Sequence, residues 1–193
     1  MQATRLSEEA RPRSRRLYWF LTLCIFVLPV SVILFFGLVV PKLWPSRATL
    51  VRRLDDGVAV MRKYCAAQEA YKKTDWNGDG KLAYATSLAE LYSRTKMIPE
   101  GMMRAHGRNG TPYKGYLFLE CKTMAAKKIN WKHDYALCAI PATYGKTAVI
   151  SLIVNTNGTV FAADLGPKGT FDEDYPEDPA LDEDWSWTEE WES

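Results

Sequence analysis

Asp75, Asn77 and Asp79 stand at alternate positions, and Gly80 follows them directly, in the stretch Thr74-Asp75-Trp76-Asn77-Gly78-Asp79-Gly80. Oxygen donors spaced this way can converge on one hard cation, and the glycine permits the sharp bend that brings them round. Read as a calcium loop, Asp75 is position 1, Lys81 is position 7 and Leu82 is the apolar position 8. The pattern then departs. Ala83 stands at position 9 and Thr86 at position 12, where a bidentate glutamate is required. Glu90 comes four residues later, and only a following helix would bring it round. Asp75, Asn77, Asp79, Lys81 and Glu90 are therefore the candidate metal set. Its shortage of charge implies weak calcium affinity, on the order of 10⁻⁴–10⁻³ M as in extracellular modules. The same residues equally make an Asx-rich turn that joins two helices with no metal.

Cys121 and Cys138 are the second candidate pair. They fall in two segments expected to be neighbouring strands, which suits a disulfide in an oxidising compartment. Closing that loop would stabilise a domain by roughly 3 kcal/mol in the chain-entropy model. Two buried free thiols are the alternative. Cys65, on a helix, is the odd one out. His106 and His133 are the only histidines, and no C-x-x-C or H-E-x-x-H accompanies them, so zinc is not expected. A Cys–His nucleophilic pair explains the cysteines less simply than a disulfide does. No phosphate-cradling or dinucleotide fingerprint occurs. No catalytic residues are assigned, and the chain reads as non-enzymatic.

The elements that must position these residues follow from patterning. Residues 17–40 read LYWFLTLCIFVLPVSVILFFGLVV and carry no charge. At 1.5 Å per residue this run spans a hydrocarbon core of about 30 Å. A lone segment in lipid satisfies its backbone only as a helix. Arg11, Arg13, Arg15 and Arg16 precede it, which favours a cytoplasmic N-terminus. The run exceeds a signal-peptide core, and Pro41-Lys42 follows it in place of a small-residue cleavage site, so it reads as an uncleaved signal anchor. The expected plan is an Arg-rich tail over 1–16, a transmembrane helix over 17–40, an extracytoplasmic domain over 41–170 and an acidic tail over 171–193. The location is the cytoplasmic (inner) membrane, single-pass, with the domain in the periplasm or outside.

Net charge is only +2, but it is lopsided. The stretch behind the apolar run is basic, whereas residues 171–193 hold eleven Asp or Glu and no Lys or Arg. Leu50, Leu54, Val58, Met61, Cys65 and Gln68 recur at spacings of 3 and 4, which predicts an amphipathic helix over about 48–73. A short helix is expected over 87–95 and a loop over 96–112. Four strands are expected, over 115–121, 135–140, 148–154 and 159–163. Asn155-Thr156-Asn157-Gly158 is the hairpin signal between the last two, because Asn-Gly readily takes positive φ. Helix first and strands later argues for an α+β fold with a four-stranded antiparallel sheet. Lys122, Lys127, Lys128, Lys132 and Lys146, with Trp131 and Tyr144 among them, offer a face for an anionic partner or a solvated connection. They also offer a place for the acidic tail to dock.

The motifs Ala66-Ala67-Gln68-Glu69-Ala70-Tyr71, Leu88-Ala89-Glu90-Leu91-Tyr92, Cys138-Ala139-Ile140-Pro141-Ala142-Thr143-Tyr144-Gly145 and Ile153-Val154-Asn155-Thr156-Asn157-Gly158-Thr159-Val160-Phe161 resemble those of bacterial pilin-like and pseudopilin-like membrane-anchored proteins. The resemblance covers about residues 50–166. It implies a long N-terminal helix packed on an antiparallel sheet outside the cytoplasmic membrane. It also implies protein partners: a homo-oligomer, or components of a pilus or type II secretion assembly. The apolar run opens Arg15-Arg16-Leu17-Tyr18-Trp19, with no Gly before it and no Glu five residues in, so the prepilin cleavage motif is absent. The expected function is a membrane-anchored interaction or structural domain with weak calcium binding. A pseudopilin-like subunit and an envelope ligand-binding module are the alternatives. No nucleic-acid partner is expected.

Overall fold

A computed structural model describes residues 47–76, 78–167 and 173–188. The expected membrane span, 17–40, lies outside the described residues. Among the described residues no helix is long and apolar enough to cross a membrane.

The described residues open with α1 (Arg47–Lys72), free of proline and rich in Ala and Arg, both good helix formers. Its last turn tightens as Lys73 N–H donates to Ala70 O and Thr74 N–H to Tyr71 O. The buried positions Leu54, Gly57, Val58, Met61, Tyr64, Ala67, Gln68 and Tyr71 return every three or four residues, and Val60 is buried beside them. Tyr64, fully buried, holds the centre of the stripe, and Cys65 sits at its rim, half-buried.

Two short helices follow, α2 (Leu88–Thr95) and α3 (Glu100–Arg104). Ser87 caps α2 with extended backbone, its hydroxyl accepting the Glu90 N–H at 3.2 Å. Lys96 closes the other end in the left-handed conformation and donates its N–H to Tyr92 O.

The strands are β1 (Tyr116–Glu120), β2 (Thr123–Met124), β3 (Lys127–Lys128), β4 (Ala136–Pro141), β5 (Ser151–Asn155), β6 (Val160–Ala163), β7 (Asp174–Tyr175) and β8 (Ser186–Trp187). The main sheet is antiparallel with order β1-β4-β5-β6-β8, and a smaller sheet has order β3-β2-β7. The α+β class therefore holds, with five strands in the main sheet where four were expected. The added strand, β8, comes from the acidic tail and pairs Trp187 with Phe161 and Ser186 with Ala162. The β5–β6 hairpin turns where the Asn-Gly signal placed it, with Gly158 at φ 76° donating to Asn155 O at 2.9 Å.

Both faces of the main sheet are buried, and strand alternation divides the core in two. Tyr116, Phe118, Leu137, Leu152, Val154 and Val160 meet α1 and α2 on one face. Cys121, Ala136, Cys138, Ile153 and Phe161 face the other way and are covered by Ile129 and by Tyr175 of the tail. The segment expected to trail as 171–193 thus seals the second core through β7, β8 and the half-buried Trp185.

Candidate functional site

The turn after α1 is closed by its own aspartates. Asp75 accepts the N–H of Gly78 at 2.9 Å on Oδ1 and that of Gly80 at 2.7 Å on Oδ2. Asp79 Oδ1 accepts the Lys81 N–H at 2.8 Å. Gly78 and Gly80 take φ of 72° and 74°, the left-handed backbone this turn requires. Asn77 lies outside the described residues.

Glu90 is committed elsewhere. Its Oε1 accepts the Tyr71 hydroxyl at 2.5 Å, and its Oε2 accepts Thr86 N–H at 3.0 Å and Thr86 Oγ1–H at 3.2 Å. With Ser87 capping in the opposite direction, this is a capping-box arrangement shifted by one residue. Asp75 and Asp79 thus serve backbone N–H groups of their own turn, while Glu90 serves Tyr71 of α1 and Thr86. Among the described residues no three His, Cys, Asp or Glu side chains are grouped to hold a metal ion.

What does form beside Glu90 is a small cleft of about 130 Å³. Tyr71, Trp76 and Tyr84 wall it, with Ala83 between them. Lys81 and Glu90 bring one positive and one negative charge, and Thr74 and Thr86 add hydroxyls. The aromatic rings are held by their neighbours. Trp76 donates Nε1–H to Tyr71 O at 2.9 Å, and its ring lies 5.6 Å from that of Tyr71. Arg94 lies over the Trp76 ring at 5.7 Å, and Lys72 lies over Tyr84 at 4.1 Å. Tyr84 donates its hydroxyl to Glu69 at 2.9 Å.

These contacts set the protonation states. Burial alone would raise the Glu90 pKa, but the Tyr71 hydroxyl, the two Thr86 donors and the Arg94 charge outweigh it and hold Glu90 below its ordinary value. Burial first, then the Glu69 carboxylate, pushes Tyr84 up to about 12. Burial and Glu90 push Tyr71 up in the same way.

A buried amide fixes the floor of the cleft. Gln68 donates Nε2–H to Tyr64 Oη at 2.8 Å and to Ala85 O at 3.0 Å, and its Oε1 accepts the Ala85 N–H at 2.9 Å. The segment around Ala83–Ala85 is thereby laid along α1.

The expected Cys121–Cys138 disulfide is not formed, and both residues are free, buried thiols. Register accounts for this. Cys138 pairs with Leu119, while Cys121 donates its N–H to Ala136 O at 3.1 Å, so the two stand diagonally on one face. Diagonal neighbours are about 7–8 Å apart, near or beyond the reach of a disulfide without backbone movement. Burial raises both thiols, with Asp174 and Glu173 adding at Cys121. Neither His106 nor His133 makes a nucleophilic pair with them. His106 Nε2 instead meets Glu120 Oε2 at 2.5 Å, and Glu120 Oε1 accepts the first N–H of α2, from Leu88, at 2.7 Å.

Sequence reasoning placed Glu90 and Lys81 at the site but missed Tyr71, Trp76, Tyr84 and Gln68. The signal that was present is Ser87-x-x-Glu90, a capping box that assigns the glutamate to its own helix. Residues 95–189 match the model of a family described as protein of unknown function, DUF2950. The match holds both sheets and the two tail strands, while α1 and the cleft precede it. No curated protein and no solved structure matches the chain.

Proposed function

We propose that this chain is a single-pass, membrane-anchored, extracytoplasmic interaction domain of pilin-like type, and not an enzyme. The observation that carries the reading is the succession of its parts. An uncharged run occupies 17–40, and a 26-residue helix begins at Arg47 and crosses an antiparallel sheet. A run of that length is a membrane span by hydropathy, and the arginines before it favour an inward N-terminus. Both sheet faces are closed, so partners meet the helix backs, the loops and the charged surfaces.

Topology reporters test this. Alkaline phosphatase fused after Ser193 is expected to be active and a green fluorescent protein fused there dark. The chain should stay with membranes through an alkaline wash and lose that retention when 17–40 are deleted. A fluorescent fusion, or release of the intact chain by the wash, would overturn the reading.

A further inference from the structure

The cleft beside Glu90 carries one positive and one negative side chain, Lys81 and Glu90. Lys81 is exposed and makes no ion pair with another described residue. Glu90 is held ionised, and a carboxylate offers about four acceptor positions. Tyr71 and the two Thr86 donors fill three of them, so one remains for an incoming N–H. The cleft volume is about 130 Å³. That is well under the roughly 300 Å³ at which pockets for drug-sized ligands begin.

The walls narrow the chemistry further. A sugar ring would need a bare aromatic face to stack on, but the Trp76 ring is flanked by Arg94 and Tyr71, and the Tyr84 ring is covered by Lys72. A metal ion would need more than one free carboxylate. What remains is a small molecule with an ammonium for Glu90, a carboxylate for Lys81 and little between them, because Ala83 and the ring edges leave only a small apolar space.

We infer that the cleft formed by Tyr71, Trp76, Lys81, Tyr84 and Glu90 binds a zwitterion of α-amino-acid size, either free or as the small terminal residue of a short peptide. The ammonium takes the last acceptor position of Glu90 and comes to the edge of the Tyr71 ring. The carboxylate meets the Lys81 ammonium, with the Thr74 hydroxyl as a neutral donor. This inference is independent of the membrane anchor, since every group in it belongs to residues 71–90.

The test is calorimetric titration of the full chain in detergent micelles with glycine, L-alanine and D-alanine, and with ethylamine and propionate as the two halves of the ligand. At least one amino acid is expected to bind saturably in the millimolar range, and each half about tenfold or more weaker, because one charge-assisted contact is lost. Lys81→Met leaves the fold intact, since its side chain is exposed, and is expected to weaken binding about tenfold. Glu90→Gln should do the same, with circular dichroism checking that α2 persists. Absence of saturable binding by all three amino acids, propionate or ethylamine binding as tightly as alanine, or full affinity in Lys81→Met would each overturn the assignment.

Discussion

Replacing Gln68 by leucine removes the contact that ties the floor of the cleft to α1. Gln68 is 1% exposed, and so is Ala85, whose backbone N–H and C=O both end on the amide. Leucine fills nearly the same volume but offers neither donor nor acceptor. Two buried backbone groups then lose their partners, at about 1–3 kcal/mol each. The apolar gain from leucine offsets about 1–2 kcal/mol of that. The net expectation is a loss of about 2.5 kcal/mol at the midpoints of these ranges, within limits of about 0–5 kcal/mol. For a domain of this size that lowers the melting temperature by roughly 5–15 °C. Tyr64→Phe removes only one hydrogen bond from the same amide and should cost about 1 kcal/mol. Both are read by denaturant unfolding of the purified chain in detergent, followed by tryptophan fluorescence. Amino-acid binding should weaken in Gln68→Leu and survive in Tyr64→Phe. A gain in stability in Gln68→Leu would refute the argument, because the two unpartnered backbone groups are expected to outweigh the apolar gain.

Gly57→Ala should destabilise by about 1–3 kcal/mol in the same assay despite the better helix propensity of alanine. Its Cβ would stand 2.8 Å from Leu152 Cδ1 and 2.9 Å from Tyr116 Cε2, and an unchanged midpoint would mean α1 rides higher on the sheet. Tyr116→Phe is expected to keep or gain stability, because the Tyr116 hydroxyl is buried with no hydrogen-bond partner; a loss of more than about 1 kcal/mol would reveal one. The last concerns pH. Glu90 is held below its ordinary 4.5, so its contribution is fully present above that value and is lost as pH falls through the lower folded value. Stability should therefore drop on acidification below about pH 4.5, less steeply in Glu90→Gln than in the parent, and equal slopes would contradict the Tyr71 and Thr86 bonds.

Much of the architecture was legible because its signals are local. The amphipathic stripe of α1, the four long strands and the Asn-Gly hairpin all emerged within a residue or three of their positions, each set by side-chain period or turn chemistry. The illegible parts depend on pairing across long distances. β7 and β8 are two residues each, lie in acidic sequence and have no alternation to read. Only Tyr175, Trp185 and Trp187 hint at an apolar edge. The role of Glu90 at the start of α2 was legible in Ser87-x-x-Glu90, but its bond to Tyr71 joins residues 19 apart and has no local signal. The diagonal offset of Cys121 and Cys138 turns on a register of one pair, which spacing in sequence does not determine.

The tail also explains a turn that would otherwise be unfavourable. β2 and β3 are joined by Ala125 and Ala126, both left-handed at φ 52° and 58°, where Asn-Gly would be the easy choice. Alanine resists that conformation at roughly 1–2 kcal/mol per residue. The tail supplies the compensation at that point. Tyr175 O accepts the Ala125 N–H at 2.8 Å, and the Asp174 carboxylate accepts the Ala126 N–H at 3.2 Å. Glu173 O takes the Lys122 N–H at 2.8 Å, and its carboxylate meets the Lys122 ammonium. The ion pair is exposed on the lysine side and adds little by itself. The backbone bonds and the buried Tyr175 ring do more, since they shape the turn and close the core over the two thiols. An acidic run that looks like a solvated appendage is, over 173–188, the last layer of the fold, and the family match runs through it to 189.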